Sequence, residues 1–307
     1  MYSTDQRIDG PLPMCMRRAI YSQGNMAEQA PKRPRFIAIR SPGRICMPTP
    51  RATDLVCGPP PPLPPPTVIA HQLAQTHHLA VGIDIETHIL VPGNTKVWAE
   101  GQFGFKTTID PDSITAMRLI EIGFAIGDCH GGDPIAQSCV IRPDGFMVSC
   151  EATRVHHISH GDAVRDGIPL KDALELMVTR VLEAVSAGHR IVSHHLEFDA
   201  GIIAAELVRA GLQHLCDDWA HAVKRGFCTM NPDVAMWVRS MIGMHDKPYW
   251  IPMRLKDMVD GLLPNAKALL GQHHRARDDA LMHWHLYADL LRRAAASRHD
   301  AGNPRRA

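Results

Sequence analysis

Gly82-Ile83-Asp84-Ile85-Glu86-Thr87 places two carboxylates at positions i and i+2 inside an apolar run. In a β-strand this spacing directs both acids to one face, because side chains alternate sides with a period of two. Two carboxylates that lie side by side repel each other unless a cation lies between them or one of them keeps its proton. The stretch therefore predicts a strand that supplies part of a metal site.

The segments around this strand predict an α/β fold. Three strands come first and are expected to form an antiparallel meander. Helices then alternate with a further strand, a pattern typical of a sheet with helices on its faces. Strands are predicted at 79–86, 119–126, 137–141 and 190–193, and helices at 169–187, 198–210 and 278–296.

Two further acidic segments begin predicted helices. Asp199 follows the short strand, and Asp279 lies in the first turn of the last helix. With Asp84 and Glu86 they give four carboxylates from three segments, an oxygen-rich set suited to Mg²⁺ or Mn²⁺ rather than to zinc. A pair of such ions about 3.5–4 Å apart can stabilise the attacking and the leaving oxygen of a phosphodiester cleavage. His274, just outside the last helix, could take the proton of an attacking water.

Composition excludes several classes of protein. The chain has 307 residues, of which 45% are apolar, and 33 basic residues against 32 acidic ones give a net charge of +1. Any nucleic-acid footprint must therefore be local. Eight cysteines without a CxxC pair indicate free thiols in a reducing, intracellular compartment. No apolar run approaches the roughly 20 residues of a membrane span, so no membrane partner is expected.

The chain is expected to divide into a tail, a folded domain and a second short tail, at 1–66, 67–296 and 297–307. The first tail holds 14 of the 24 prolines and is interpreted as disordered and mildly basic. Its end, Pro59–Pro66, is either a stiff linker or a ligand for an SH3- or WW-type groove. Lys32–Arg35 is either an ordinary basic cluster or a nuclear-import patch, so the location is cytoplasmic or nuclear.

Three motifs, in order, resemble those of the DEDDh 3′→5′ exonucleases of the DnaQ-like, RNase H-like superfamily. Asp84-Ile-Glu-Thr87 is similar to the first motif and His195-Leu-Glu-Phe-Asp199 to the second. His274-Arg-Ala-Arg-Asp-Asp279-Ala is similar to the third, which has the form HxAxxD. The resemblance covers about residues 78–294. It implies an RNase H-like mixed sheet, antiparallel in its meander and parallel beyond it, flanked by helices on both faces.

The resemblance also implies an activity and a set of site residues. Asp84, Glu86, Asp199 and Asp279 would hold two divalent cations, Mg²⁺ or Mn²⁺, and His274 would be the general base. The reaction would be the removal of nucleoside 5′-monophosphates from the 3′ end of single-stranded DNA or RNA. Four further residues are expected near the substrate: Thr87 through its backbone, Phe198 by stacking, His195 in the end-binding pocket and Arg275 through phosphate.

Some alternatives stay open at this point. Asp278 adjoins Asp279, but the HxAxxD register selects Asp279; Glu197 competes with Asp199 but is expected to face solvent. The segment 87–113 is either a substrate-contacting flap or a surface insertion. The chain as a whole could instead be a nucleic-acid-binding or scaffold protein on a degenerate nuclease fold, or a proofreading subunit that acts in trans with a polymerase.

Overall fold

The computed structural model describes Leu73 and residues 78–90, 96–101, 104–109, 111–244, 253–263 and 273–301. The strands are β1 (Leu79–Thr87), β2 (Lys96–Gly101), β3 (Gly104–Ile109), β4 (Leu119–Asp128), β5 (Gly131–Val140), β6 (Arg190–Ser193) and β7 (Phe227–Cys228). The helices are α1 (Pro111–Ala116), α2 (Cys150–His156), α3 (His160–Asp166), α4 (Leu170–Ser186), α5 (Leu196–Arg209), α6 (Gln213–Lys224), α7 (Pro232–Ile242), α8 (Leu255–Leu262) and α9 (Ala276–Ala301).

The main sheet has five strands in the order β5-β4-β1-β6-β7. β5, β4 and β1 form the antiparallel meander, whereas β6 and β7 continue the sheet in parallel with β1. β1 is central and pairs with β4 along its whole length, but its pairing with β6 covers only Ala80–Gly82. The predicted α/β fold with a mixed sheet is confirmed.

Both faces of the sheet are covered by helices. Alternate residues of β1 enter different cores, since Ala80 belongs to one apolar cluster and Val81 and Ile83 belong to the other. The first cluster contains residues of α7, α8 and α9, and the second contains residues of α4, α5 and α6. The face of β1 that includes Ala80 is therefore also the face that carries Asp84 and Glu86, by the period of two.

Helix α9 lies unusually close to the sheet. A Cβ atom on Gly82 would overlap the backbone of Ala280, and one on Gly123 would overlap the backbone of Ala276. These two glycines of β1 and β4 thus permit direct contact between strand and helix backbones. The start of α9 is brought against the acidic part of β1 in this way.

The structure extends the predicted elements in several places. β5 begins at Gly131 rather than at 137, α5 begins at Leu196 rather than at 198, and α9 continues to Ala301, past the predicted boundary at 296. Helices α1, α2, α3, α6 and α7 were not expected. Two of them are short and begin at serine caps: the Ser149 side chain accepts from the backbone of Ala152, and Ser159 forms a capping box with Asp162.

The segment 87–113 contains a two-stranded antiparallel hairpin, β2 with β3, in which Lys96 pairs with Ile109 and Gly101 with Gly104. The sequence analysis left this segment without strands. The predictions for 1–66, including Pro59–Pro66 and Lys32–Arg35, and for residues 302–307 lie outside the described residues.

Within the described part of the chain, the five cysteines 129, 139, 150, 216 and 228 are free. None of the helices in the described residues combines the length and apolarity required to cross a membrane.

Candidate metal centre

Asp84 and Glu86 lie in β1 just beyond the last residue that pairs with β6. On the other side they remain paired with β4, where Asp84 is opposite Gly123 and Glu86 is opposite Glu121. β1 and β6 separate at this point, as strands do at the crevices where α/β sheets bind ligands. The two acids therefore project from a rigid strand into an opening of the sheet.

Asp199 reaches the same place from the first turn of α5, directly after β6. Its carboxylate is buried, and the hydroxyl of fully buried Ser193 donates a hydrogen bond to its Oδ2 atom. The backbone N–H of His195 donates to the same Ser193 hydroxyl oxygen at 3.1 Å. The end of β6 and the start of α5 are thus tied together around the carboxylate.

Asp279 comes from the first turn of α9 and is also buried. The backbone N–H of His274 donates to its Oδ2 atom at 3.2 Å. Its other oxygen, Oδ1, has no hydrogen-bond partner among the residues that the structure describes. A buried carboxylate oxygen in this state has a free lone pair for a cation.

The four carboxylates influence each other electrostatically. Burial, and then the charges of Asp199, Asp279 and Glu86, raise the pKa of Asp84 well above its ordinary value. Burial and the charge of Asp279 raise the pKa of Glu86 to about 9. Burial, partly offset by the Ser193 hydrogen bond, raises the pKa of Asp199 to about 7. The structure therefore brings together the four acids that the sequence analysis selected.

Asp279 shows the same electrostatic effect. Burial raises the pKa of this carboxyl to about 7, although the hydrogen bond from the His274 backbone opposes the rise. Like charges held together in a desolvated crevice are unfavourable without a counter-charge. The donor set consists of carboxylate oxygens from two buried side chains, Asp199 and Asp279, and two half-buried ones, Asp84 and Glu86, so it fits a divalent hard cation.

His274 lies beside this group, in the loop before α9, with a φ of 62°. A ring nitrogen of His274 and carboxylate oxygens of Glu86 and Asp279 all lie within 4.8 Å of one another. Partial burial and the neighbouring His273 and His157 rings lower the pKa of His274. A neutral imidazole at this position can accept a proton, as the sequence analysis predicted, or ligate a metal ion.

No family model matches this chain, and no curated protein matches it. Solved structures of exonuclease I are similar in fold. The E. coli enzyme in complex with a dT13 oligonucleotide aligns with 13% identity and a TM-score of 0.47, over 74% of this chain and 43% of that one. The enzyme from Methylocaldum szegediense aligns with 16% identity and a TM-score of 0.44, over 70% and 40% of the two chains.

A zinc-bound form of the E. coli exonuclease I complex with single-stranded DNA aligns with 12% identity and a TM-score of 0.43, over 74% and 42% of the two chains. The chain thus spans less than half the length of these exonuclease I chains. Because the identities and scores are low, the function of the protein has to be inferred from its own residues.

The four residues expected near the substrate have different environments. Thr87 is buried, and its hydroxyl donates to the carbonyl of Ile89 at 2.7 Å. The rings of His195 and Phe198 stack with centroids 5.5 Å apart and planes 12° from parallel, at the beginning of α5. Arg275 donates from Nε and Nη2 to the Glu121 carboxylate at 3.1 and 2.9 Å, so its guanidinium is already paired.

Neither of the two competing acids belongs to the group of four carboxylates, although the charge of Asp278 contributes to the raised pKa of Asp279. Asp278 is paired with Arg277, whose Nη1 lies 3.1 Å from Asp278 Oδ1. Glu197 is exposed, whereas Asp199 is buried. Asp279, and not Asp278, raises the pKa of both Glu86 and Asp199. This placement matches the register preferred in the sequence analysis.

Glu121 is a buried carboxylate that the sequence analysis did not select. It accepts hydrogen bonds from the Ser138 hydroxyl at 2.8 Å, from Arg275, and from the backbone N–H of Ala276 at 3.0 Å. It therefore joins β4 and β5 to the first residue of α9. The available signal was an acid inside the apolar strand Leu119-Ile-Glu-Ile, where only a paired charge is tolerated.

Two further histidines were also missed, buried His283 and half-buried His194. His283 lies four residues after Asp279 on α9, and its Nδ1 lies 2.7 Å from the carbonyl oxygen of Ile83. His194 bonds the Thr229 hydroxyl through Nδ1 and the Met253 carbonyl through Nε2, both at 2.9 Å. Their roles follow from burial and partners, which the sequence does not contain.

Another buried histidine, His156, supports the strand end. Its Nδ1 accepts from the backbone of Ile158 at 3.1 Å, so its Nε2 carries the proton and donates to the carbonyl of Thr87 at 3.3 Å. Burial lowers the pKa of His156, which favours this neutral form. The residue thus fixes the backbone immediately after Glu86.

Proposed function

We propose that this chain is a metal-dependent 3′→5′ exonuclease that hydrolyses phosphodiester bonds at the 3′ ends of single-stranded DNA or RNA and releases nucleoside 5′-monophosphates. One observation carries the proposal: four carboxylates from three segments meet in a crevice of the sheet, and burial together with neighbouring negative charges raises the pKa of every one of them. A set of acids that repel one another in this way is unfavourable unless it serves to hold cations.

Asp84, Glu86, Asp199 and Asp279 would hold two Mg²⁺ or Mn²⁺ ions. Bound there, the ions supply electrostatic stabilisation of the negative charge that develops on the attacking and leaving oxygens of a phosphodiester. The protein supplies rigidity, since β1 is paired along its length with β4 and the Asp199 carboxylate is tied to Ser193. The ligands are thus preorganised before substrate arrives.

His274 would act as the general base. Its lowered pKa keeps the imidazole neutral at physiological pH, so a ring nitrogen can accept the proton of the attacking water. The position of that nitrogen within 4.8 Å of carboxylate oxygens of Glu86 and Asp279 supports this role. The backbone N–H of His274 meanwhile holds Asp279, so one loop residue orients a ligand and moves a proton.

The stacked rings of His195 and Phe198 would contact the terminal nucleotide. They lie four residues and one residue before the Asp199 ligand respectively, at the start of the helix that carries it. Aromatic faces next to a cleavage site favour an unpaired base over a base held in a duplex. We therefore propose a single-stranded end as the substrate.

The test uses matched DNA and RNA strands of identical sequence, labelled at either the 5′ or the 3′ end, incubated with the full chain and Mg²⁺ or Mn²⁺. The proposal expects a 5′-labelled strand to shorten stepwise from its 3′ end and a 3′-labelled strand to release labelled mononucleotide at once. Asp84→Asn and Asp279→Asn variants, and a chelator, should abolish both signals.

Other outcomes have distinct meanings. Binding of the labelled strands without cleavage would favour the scaffold function over an enzyme. Labelled fragments of intermediate length, formed at once by cleavage in the middle of the strand, would indicate an endonuclease. Equal activity of the Asp84→Asn variant and the wild type would refute the assignment of the site.

A further inference from the structure

His283 lies on α9 four residues after Asp279, on the face of the helix that packs against β1. Its side chain is almost completely buried. Its Nδ1 atom lies 2.7 Å from the carbonyl oxygen of Ile83, the residue immediately before Asp84. Because a carbonyl oxygen only accepts, Nδ1 carries the proton and donates it to Ile83.

The Ile83 carbonyl is a group that the sheet itself leaves free. The ladder between β1 and β6 ends at Gly82, so β1 has no strand partner on that side from Ile83 onward. A buried backbone carbonyl without a partner is unfavourable, and His283 supplies the donor. The imidazole thus continues the ladder by one bond and fixes the backbone that carries Asp84.

The other ring nitrogen, Nε2, faces the carboxylate of Asp84. It lies 3.9 Å from Asp84 Oδ1 and has no hydrogen-bond partner among the described residues. Because Nδ1 carries the proton of the neutral ring, Nε2 is an acceptor. When Asp84 is ionised, as a cation ligand is, two acceptors therefore face each other across a gap longer than a hydrogen bond.

The His283 ring cannot rotate to relieve this unfavourable approach of two acceptors. Nδ1 is committed to Ile83, and the ring stacks on His194 with centroids 6.4 Å apart. His194 is itself held at both nitrogens by Thr229 and Met253. The space between Nε2 and Asp84 consequently calls for a donor that is not part of the described residues. A hydrated divalent cation on Asp84 presents such O–H donors.

We propose that His283 is a positioning residue for the cation held by Asp84: its Nδ1–H fixes the strand at Ile83, and its Nε2 accepts a hydrogen bond from the water shell of that cation. The inference rests on the metal site of the proposed function. It gives a role in cation binding to His283, which lies outside the three acidic motifs.

Two substitutions of His283 distinguish the roles of its two ring nitrogens. In His283→Asn the amide nitrogen takes the place of Nδ1 and can still donate to Ile83, but nothing replaces Nε2. In His283→Gln an amide acceptor extends to the position of Nε2, and the donor to Ile83 is lost. His285→Asn is the matched control, because His285 lies on the same helix with its ring against Trp284.

Mn²⁺ affinity is measured by electron paramagnetic resonance on the full chain, and thermal unfolding is followed in a chelator. We expect His283→Asn to unfold near the wild-type temperature but to bind Mn²⁺ about 10- to 100-fold more weakly, the range found when a group behind a metal ligand is removed. His283→Gln should keep more of the affinity despite a lower unfolding temperature. His285→Asn should bind like the wild type.

The proposal is overturned if His283→Asn binds Mn²⁺ as tightly as the wild type, or if the affinities of both variants fall only in proportion to their unfolding temperatures. Nuclear magnetic resonance on wild-type protein with ¹⁵N-labelled histidine gives a test without any variant. Addition of Mg²⁺ should shift the Nε2 resonance of His283 while its Nδ1 resonance stays nearly constant. An Nε2 resonance that does not respond to Mg²⁺ contradicts the role.

These readouts also separate this inference from the proposed activity. If the wild-type protein binds Mn²⁺ but leaves every oligonucleotide intact, the proposed exonuclease activity is refuted. The Mn²⁺ affinities of the His283 variants then still decide the role of His283. A wild-type protein that binds no Mn²⁺ refutes the role of His283 as well.

Discussion

Glu86 and Glu121 are direct partners across β1 and β4, yet their environments are opposite. Glu121 is saturated: it accepts from Ser138, from Arg275 and from the backbone of Ala276. The structure gives the Glu86 carboxylate no hydrogen bond from any residue it describes, and the pKa of Glu86 is raised to about 9. A carboxylate that the protein neutralises belongs to the scaffold, and one that it leaves without partners is available to a ligand.

Glu121 also helps to determine where the candidate metal ligands meet. Glu121 holds Arg275 and Ala276, the residues between His274 and the first turn of α9 that carries Asp279. The two glutamates therefore have different roles. Glu121 anchors the third acidic segment, and Glu86 faces that segment. Substitutions of each glutamate test this difference in role.

Glu86→Gln should have the largest effect. We expect turnover to fall by about a thousandfold or more, at the upper end of what removing one preorganised electrostatic group costs. The metal-free protein should at the same time become more stable at pH 8, because the folded state no longer has to bury a carboxyl that is charged in the unfolded chain. Initial rates with labelled oligonucleotide and unfolding temperatures in a chelator measure the two effects.

Glu175→Gln, at an exposed position of α4, is the control for Glu86→Gln and should change neither quantity. A Glu86→Gln protein that keeps its activity, or that is less stable than the wild type without metal, would remove the distinction between the two glutamates.

His274→Asn should lower kcat by about a hundredfold, within the range of 10²–10⁴ that a general base contributes. Asparagine tolerates the positive φ of this position, so the loop and the backbone bond to Asp279 should survive. If His274 is the base, Mn²⁺ affinity remains at the wild-type value. If His274 ligates the ion, Mn²⁺ affinity falls together with kcat, which would reassign the residue from proton transfer to metal binding.

Four strands of the main sheet, β1, β4, β5 and β6, the longest helices and the four acids were accessible from the sequence, because each depends on local pattern. Apolar alternation identified β1 and β4, and the offset of two between Asp84 and Glu86 put both acids on one face. The HxAxxD spacing separated Asp279 from Asp278 without any structure. Such features repeat over a few residues and need no knowledge of distant contacts.

The supporting residues were not accessible, because their roles depend on contacts across long separations in the chain. Glu121 meets Arg275 and Ala276 more than 150 residues away, and His283 meets Ile83 at a separation of 200. Arg275 was expected to bind phosphate for its charge alone, whereas the structure pairs it with Glu121. An isolated sequence shows a charge but does not show which buried partner already neutralises it.

Glu121→Gln should lower kcat about tenfold and the free energy of unfolding by about 1–3 kcal/mol, the cost of leaving a charged partner without its hydrogen bonds. The loss of kcat follows from a small displacement of the α9 start that carries Asp279. Glu206→Gln is the matched control, because Glu206 is a buried glutamate paired with Arg118 and Arg209 away from the cation site. It should lose stability without losing kcat, so equal losses of kcat in both variants would contradict a positional role for Glu121.

The smallest expected effect is a dependence of metal-free stability on pH. The pKa of Glu86 is about 9 in the folded protein against an ordinary value of 4.5, so its contribution to stability is complete below 4.5 and is lost as the pH rises to about 9. Asp199 and Asp279, with pKa values of about 7, lose theirs by neutral pH. Between pH 7 and 9 the unfolding temperature in a chelator should therefore fall through Glu86 and through Asp84, whose pKa is also raised well above its ordinary value, and Glu86→Gln should reduce that slope. Mg²⁺ binds the charged carboxylates, so it should raise the unfolding temperature more at pH 9 than at pH 7.

If the slope of unfolding temperature against pH is the same in wild type and Glu86→Gln, Glu86 is neutralised in the metal-free protein as fully as Glu121. The contrast between the two glutamates would then disappear.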